Sequence, residues 1–142
     1  MNAKEYLNQA FRLNQLIESN IAELKALREL TVSVGGVRYK ADKVQESNRA
    51  GSKVERGVVK MIELENKINR EIDEYVDLKG EIRDAIHIIP NSDERLVLRY
   101  RYIEFLKWGE IVKRLRLDER RVYQLHGEAL KRFALLNRSK LQ

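Results

Sequence analysis

The sequence predicts an all-α protein in which a long, coiled-coil-like antiparallel helical hairpin is followed by a small domain of short helices. Two long stretches place apolar side chains at steps of three and four residues, the spacing of one helix face. The 142-residue chain is 35% charged and contains seven glycines and one proline, a composition that favours long helices over a β-sandwich or barrel. Residues 1–90 form the predicted hairpin and residues 91–142 the predicted small domain.

The first long helix is predicted over residues 3–30, which contain no glycine or proline. Leu13, Ile17 and Leu24 belong to its apolar stripe. Asn20 occupies a stripe position where an apolar residue is expected. Two interpretations remain open: Asn20 fixes the register, as polar residues in coiled-coil seams do, or it lies at the edge of a wide stripe.

Residues 31–53 interrupt the helical pattern between the two long helices. Residues on either side of Gly35 and Gly36 alternate between apolar and polar, which permits a small β-hairpin. An isolated two-stranded hairpin is only marginally stable in water, so a loop fits the segment equally well. We expect a loop or a small hairpin here.

The second long helix is predicted over residues 54–89 and ends before the single proline. Its apolar stripe includes Ile68, Ile72 and Tyr75. One hairpin buries only a thin core, so the remainder of these stripes predicts a homodimer or higher oligomer formed through residues 1–90. The carboxylates between the stripe positions are interpreted as a solvated face and not as a metal site: Glu71, Asp73, Glu74 and Asp77.

The small domain begins after the proline, where Asn91 or Ser92 fits the N-cap of a short helix. Residues 108–133 then predict two helices joined by a three-residue turn, with Asp118 as the N-cap of the second helix. Trp108 is expected in the core, at the start of the first of these helices. The other positions expected to face the core are Ile111, Leu115, Leu117, Val122, Leu125, Ala129, Leu130 and Phe133.

All of the net charge of +6 lies in the small domain. Residues 1–90 contain 15 basic and 15 acidic residues, whereas residues 91–142 contain 13 basic and 7 acidic residues. Basic charge concentrated on one module is typical of proteins that bind a polyanion, and nucleic acid fits better than a membrane because no amphipathic anchor lies nearby. Two helices joined by a short turn are typical of the helix-turn-helix, whose second helix enters the DNA major groove. Double-stranded DNA is therefore the predicted partner.

The residues left facing outward divide into two predicted roles. Arg120 and Gln124 are expected to contact bases, because arginine pairs with guanine and glutamine with adenine. Arg121 and Tyr123 belong to the same predicted DNA-binding face. The predicted phosphate contacts, which set position without reading sequence, are Lys113, Arg114, Lys131 and Arg132.

No catalytic, cofactor-binding or metal site is expected, so the chain is not predicted to be an enzyme. The absence of cysteine excludes disulfides and cysteine-ligated zinc or iron–sulfur clusters. His87 and His126 are too far apart in sequence for a zinc motif, and no glycine-rich phosphate loop or Ser-His-Asp grouping occurs. No apolar run approaches the roughly 20 residues of a membrane span. Since the N-terminus also lacks an apolar signal core, a cytoplasmic protein is predicted.

Several segments of the small domain resemble region 4 of sigma-70-type factors: residues 93–103, 108–111 and 119–126. With a long helical half and the stretches 43–45 and 72–79, the whole chain resembles a family of uncharacterised phage and prophage proteins of Gram-positive bacteria. Members of that family are regarded as regulators of phage transcription. The resemblance implies promoter DNA as the target, the β-flap or sigma factor of RNA polymerase as a further partner, and the cytoplasm of a bacterial host cell as the location.

The chain departs from the sigma pattern at informative places. Glu119, Arg120 and Tyr123 replace an arginine, a glutamate and an arginine of the sigma recognition helix, so the usual −35 sequence is not the expected target. Arg116 stands where such turns often place a glycine, and Val112 replaces a small residue at the helix crossing. The N-terminal half lacks the strand-opening residues of sigma region 2, so a complete sigma factor is not expected.

Two other functions remain open from the sequence. Small terminases of phages also join a helix-turn-helix to oligomerising helices, although their DNA-binding module usually comes first. An adaptor that binds RNA polymerase through a sigma-like surface, without binding DNA, is the other alternative. Native mass separates a terminase from a regulator, because a terminase forms a ring and a regulator a smaller oligomer.

Overall fold

The computed structural model describes residues 1–41 and 44–142, and it describes side chains in residues 1–32 and 52–142. Helices make up these residues apart from short turns and termini, so the predicted all-α fold is confirmed. Two long helices are followed by three shorter ones and a short 3₁₀ helix. In chain order these are α1 (Ala3–Ala41), α2 (Val44–His87), α3 (Ser92–Tyr102), α4 (Trp108–Leu115), α5 (Glu119–Leu136) and the 3₁₀ helix Arg138–Leu141.

The expected loop or β-hairpin at residues 31–53 is wrong wherever the structure describes that segment. Helix α1 continues to Ala41 and α2 begins at Val44, while residues 42–43 lie outside the described residues. Extending an existing helix adds one backbone hydrogen bond for each residue that is fixed. A β-branched residue or a glycine lowers helix stability by only about 1 kcal/mol or less relative to alanine. The flanking helices therefore extend through residues whose local preferences favour a turn.

Residue packing divides the chain into two compact units. The five-helix unit comprises Met1–Asn14 and Glu74–Gln142, so it contains the outer ends of α1 and α2 together with α3, α4 and α5. The hairpin unit comprises Gln15–Asp73. The predicted domain boundary at residue 90 separates two expected functions, and it stays a prediction. The compact units are divided elsewhere, after Asn14 and after Asp73.

One apolar core holds the five-helix unit together. Its largest fully buried side chain is Phe133 of α5, whose ring centroid lies 5.8 Å from that of Tyr6 on α1. Leu7 of α1 and Ile86 of α2 are also completely buried. The first turns of α1 thus complete the core of the C-terminal helices, a contact that the sequence does not predict. Of the predicted core positions, Ile111, Val122, Leu125, Ala129 and Phe133 are buried, and Leu115, Leu117 and Leu130 are half-buried.

Two polar side chains bind the C-terminal end of α2. The last carbonyl groups of a helix have no partner within that helix. Asn137 is buried, and its Nδ2 donates hydrogen bonds to the carbonyl oxygens of Ala85 at 3.2 Å and Phe133 at 3.0 Å. Arg95 Nη1 donates to the carbonyl oxygen of Ile89, two residues after the end of α2, at 2.8 Å. Directional contacts as well as apolar packing therefore hold α2 against α3 and α5.

Within the hairpin unit, α1 and α2 run antiparallel. Asn20 Nδ2 donates to Glu71 Oε1 at 2.6 Å, and Arg28 pairs with Glu65 at 3.0 Å. The later residue of α1 therefore contacts the earlier residue of α2. Asn20 and Glu71 are buried, with 7% of each exposed. The interpretation of Glu71 as part of a solvated face is wrong, because its carboxylate accepts a hydrogen bond across the helix contact. The interpretation of Asn20 as a register residue gains support, since a buried polar pair forms in one alignment only.

Candidate nucleic-acid interface

The helix pair at residues 108–133 has the predicted turn. Helix α4 ends at Leu115 and α5 begins at Glu119, which leaves a three-residue turn at 116–118. Arg116 adopts the left-handed conformation, with φ 55° and ψ 36°, and its backbone N–H donates to the carbonyl of Val112. This conformation costs a non-glycine residue about 1–2 kcal/mol. Arg116, at a position often held by glycine, therefore strains the backbone. The turn nevertheless has the left-handed conformation that a glycine would adopt there.

Asp118 is the N-cap of α5, as the sequence predicts. Its Oδ1 accepts a hydrogen bond from the backbone N–H of Arg121 at 2.7 Å. This contact satisfies one of the donors that the first turn of a helix leaves without a partner. Glu119 adds negative charge in that turn, where the helix dipole favours it. Local sequence therefore determines where α5 begins and which of its residues face outward.

Helix α5 has a buried face and an exposed face. The buried face comprises Val122, Leu125, Ala129 and Phe133. All eight residues predicted to bind DNA are exposed, namely Lys113, Arg114, Arg120, Arg121, Tyr123, Gln124, Lys131 and Arg132. Arg120 and Gln124 lie one helical turn apart, and together with Glu119 and Tyr123 they line a shallow concave patch on the surface. The structure therefore brings the two predicted base contacts together.

Two of the other arginines already hold acidic side chains. The ion pairs are Arg121 with Glu128 at 3.5 Å, and Arg114 with Glu104 and Glu110 at 3.3 Å each. All five side chains are roughly half exposed to solvent, where an ion pair contributes about 0–1 kcal/mol. Because these pairs are weak, Arg114 and Arg121 can exchange a carboxylate partner for a phosphate at little cost.

Arg132 has a different environment from the other predicted phosphate contacts. Its Nε lies 3.6 Å from Glu94 Oε2, close enough for an ion pair but too far for a hydrogen bond. The Glu94 side chain is only 6% exposed, and a buried carboxylate is strongly destabilising when it loses its opposite charge. The ion pair therefore argues against a phosphate role for Arg132. In the part of the chain that the structure describes, Lys113, Arg120 and Lys131 form no ion pair.

An aromatic cluster joins α3, α4 and α5. Trp108 of α4 packs against Tyr123 and His126 of α5, with ring centroids 5.1 Å and 4.7 Å apart. The guanidinium carbon of Arg101 lies 4.8 Å from the centroid of the Trp108 ring. Trp108, which the sequence places in the core, is half-buried and packs against the core. Tyr123 is thus held on one side by tryptophan while 45% of its surface stays exposed.

His126 is a half-buried hydrogen-bonding residue that is uncharged at neutral pH. Its Nε2 lies 2.7 Å from the hydroxyl oxygen of Tyr102. Burial lowers the pKa of His126 to about 4, and the positive charges of Lys4 and Arg101 also lower it. Burial likewise raises the pKa of Tyr102 to about 12. A neutral imidazole attracts phosphate weakly, so these surroundings favour a structural role for His126.

The sequence does not predict the parts that Arg101 and Tyr102 play in this cluster. Tyr102 follows Leu98 by four residues on α3, and both are buried, so helical periodicity could have placed Tyr102 in the core. No sequence pattern links Arg101 to Trp108, because a cation–π contact between two helices depends on how the helices pack.

The described part of the chain also bears on metal and membrane sites. His87 is exposed on α2. Among the described residues, no group of three or more His, Asp or Glu side chains is arranged to hold a metal ion. No helix in the described ranges combines the length and the apolar content needed to cross a membrane.

The fold and this site define a class, namely all-α proteins in which two helices joined by a three-residue turn present an exposed, basic face. Residues 31–134 match the family described as "Protein of unknown function (DUF1492)". The chain belongs to this family, because the match covers more than half of its length. The matched segment contains α3, α4, the turn and most of α5. Comparison with curated proteins and comparison with solved structures each gave no match.

Proposed function

We propose that this protein is a DNA-binding transcription regulator that inserts α5 into the major groove of double-stranded DNA. The observation that carries the proposal is the two-faced helix α5, which buries Val122 and Leu125 while it exposes Arg120 and Gln124. A three-residue turn joins α5 to α4, as in helix-turn-helix motifs. The net charge of +6 on residues 91–142 supports a polyanionic partner.

Arg120 and Gln124 are the proposed base-reading residues. Arginine forms a bidentate pair with guanine and glutamine with adenine, and each pair adds about 1–3 kcal/mol of discrimination. Both residues lie in the N-terminal part of α5, the part that contacts base edges in helix-turn-helix complexes. Tyr123 shares their concave patch and rests against Trp108, so the exposed part of its side chain offers an apolar contact to a thymine methyl group.

Lys113 of α4 and Lys131 of α5 are the proposed phosphate contacts. Both are exposed, and neither forms an ion pair among the described residues. Arg114 and Arg121 join them by exchanging their exposed carboxylate partners for phosphates. Phosphate contacts orient the protein on the duplex and make its affinity depend on salt.

The resemblance to sigma region 4 extends the proposal to promoter DNA and to RNA polymerase, contacted through its β-flap or its sigma factor. It also supports an origin in a phage or prophage of Gram-positive bacteria and action in the host cytoplasm. The departures at Glu119, Arg120 and Tyr123 favour a target other than the usual −35 sequence. Self-association through residues 1–90 belongs to the proposal, and enzymatic activity does not.

The salt dependence of binding to duplex DNA tests this function. Each phosphate contact adds about 0.9 to the slope of the logarithm of affinity against the logarithm of salt concentration. Lys113→Ala and Lys131→Ala are each expected to lower the slope by about one and to weaken binding to every duplex alike. Lys25→Ala is the matched control, because Lys25 is an exposed lysine of the hairpin unit. Fluorescence anisotropy with a labelled duplex measures all four proteins.

The experiment needs the full chain. Residues 91–142 alone lack Tyr6, Leu7 and Ile86, which belong to the core of the five-helix unit. If the wild-type chain binds no duplex DNA even at low salt, the proposed function is wrong. If Lys25→Ala lowers the slope and the two test variants do not, DNA binds to another surface.

A further inference from the structure

The hairpin unit has two flanks, one on either side of the contact between α1 and α2. The first, called the groove flank, is a surface groove with an apolar floor that includes Leu27 and Leu64. Its charged rim comprises Glu23, Lys53, Arg56, Lys60, Glu63 and Lys67. Four cationic and two acidic side chains thus surround this groove.

The second flank, called the aliphatic flank, is identified by the ion pair between Arg28 of α1 and Glu65 of α2. The two side chains are exposed and meet at 3.0 Å, so the helix faces that carry them lie on the same side of the hairpin. Ile21 and Val32 lie seven and four residues from Arg28, which places them on its face of α1. Leu30, which also lines the groove flank, lies two residues from Arg28, about 200° around the helix. The two flanks are therefore opposite sides of the hairpin.

Helix α2 continues the aliphatic flank on the other side of the ion pair. Val58 and Ile72 lie seven residues from Glu65, and Ile62 lies three residues from it, so all three share its face. Their exposed fractions are 39%, 39% and 52%, and those of Ile21 and Val32 on α1 are 47% and 69%. Five β-branched aliphatic side chains are therefore exposed together on one side of a two-helix unit.

Most of the stripe residues expected to drive self-association do not lie on this surface. Ile17 and Ile68 are buried within the chain, and Leu24 is half-buried. Among the stripe residues named for self-association, Ile72 is the one that the structure leaves exposed. The side chains predicted to bind another copy are therefore mostly covered by this chain itself, and the exposed apolar surface lies beside them.

We propose that the aliphatic flank binds the same flank of a second copy of this chain, forming a two-fold dimer. In a two-fold interface the same patch occurs on both sides, so the patch must be complementary to itself. The exposed charges on this side are balanced, because Arg28 pairs with Glu65, and Lys25, three residues from Arg28, is matched by Glu18, seven residues from Lys25. Two aliphatic flanks can therefore meet without net repulsion, and their Ile and Val side chains leave water together.

The groove flank does not satisfy the same condition. Its rim has four cationic and two acidic side chains, so two groove flanks placed face to face carry excess charge of one sign. Like charges placed opposite one another suppress association. The charge distribution therefore selects the aliphatic flank as the surface for a second copy. The dimer rests on the self-association included in the proposed function, but its contact residues all belong to the hairpin unit and none of them is a proposed DNA contact.

Sedimentation of the full chain without DNA tests the dimer. The wild-type protein at high micromolar concentration is expected to sediment with twice its chain mass of 16.8 kDa. Ile62→Glu places a charge in the aliphatic flank and is expected to give the monomer. Lys60→Glu, two residues away on the groove flank, is the matched control and is expected to leave the dimer intact. Circular dichroism confirms that both variants keep the helical content of the wild type.

A cross-linking experiment keeps the proposal testable if Ile62→Glu unfolds. The chain contains no cysteine, so a single introduced thiol can form a disulfide only between copies. Asn69→Cys, seven residues from Ile62 on the same exposed face, is expected to give a cross-linked dimer under mild oxidation, and Lys60→Cys is not. A wild-type monomer, a dimer that survives Ile62→Glu, or preferential cross-linking through Lys60→Cys would each overturn the proposal.

Discussion

The five-helix unit and the hairpin unit bury the apolar faces of their amphipathic helices to different extents. In the five-helix unit, Leu7, Ile86 and Phe133 come from three helices and are completely buried. In the hairpin unit two helices meet, their contact includes the polar pair Asn20 and Glu71, and several Ile and Val side chains stay exposed. The difference shows that two helices cover only part of each other's apolar stripe, whereas additional helices close the core around it.

The largest effect expected from this difference is the response to loss of a buried side chain. Phe133→Ala is expected to lower the free energy of unfolding by about 3–5 kcal/mol, because it removes apolar contacts and leaves a cavity. Val59→Ala in the hairpin unit is the matched control, since 53% of Val59 is exposed, and it should change stability by about 0.5 kcal/mol or less. Equilibrium denaturation measures both. If both variants lost the same free energy of unfolding, the two units would not differ in how tightly they are packed.

A pH effect specific to the five-helix unit is expected from His126. Its folded pKa of about 4 lies below the ordinary value of 6.5, so between these values the unfolded state binds more protons than the folded state. The stability contribution is complete above pH 6.5 and is lost as the pH falls toward 4. The slope is at most about 1.4 kcal/mol per pH unit, and partial exposure of the imidazole reduces it.

Denaturation across this pH range, with one variant and one control, isolates the histidine. His126→Gln should flatten the dependence, while His87→Gln, at an exposed position, should leave it unchanged. A His126→Gln protein with the full pH dependence of the wild type would show that other groups cause it.

A smaller effect is expected at the polar pair in the hairpin unit. Asn20→Leu removes the donor to a buried carboxylate and should lower stability by about 1–3 kcal/mol. Replacing both partners, as Asn20→Leu with Glu71→Leu, should recover most of that loss, because no buried polar group is left without a partner. A double-mutant cycle measures the coupling. Additive losses would show that the pair does not act as a unit and does not set the register.

Local signals in the sequence predicted most of the helix pair at the candidate site. The cap at Asp118, the three-residue turn and the buried face of α5 each depend on residues that are close in sequence. Asn91 caps α3 for the same reason, since its side chain accepts from the backbone N–H of Glu94 at 3.0 Å. Such contacts can be recognised without knowing how the helices pack.

Contacts between distant residues could not be predicted in this way. Tyr6 meets Phe133 across almost the whole length of the chain, and helical periodicity says which face is buried but not against which helix. In sequence, Glu71 looks like the neighbouring solvated carboxylates, because its pairing with Asn20 depends on how the two helices pack. Helix α1 continues to Ala41 although residues around Gly35 and Gly36 favour a turn. Helix extension is cooperative, so the existing helix outweighs turn preferences that act at single residues. The roles of the eight predicted DNA-binding residues stay predictions.

The central claim is that α5 reads DNA sequence through Arg120 and Gln124, and selection from a random duplex library tests it most directly. The wild-type chain is expected to enrich one motif. Arg120→Ala combined with Gln124→Ala should lose that preference, at about 1–3 kcal/mol per lost base contact, and keep most of its non-specific affinity. Arg12→Ala with Gln15→Ala, at exposed positions of α1, is the matched control and should enrich the parent motif. If the Arg120 and Gln124 double variant also recovers the parent motif, α5 is not the reader and the account is wrong.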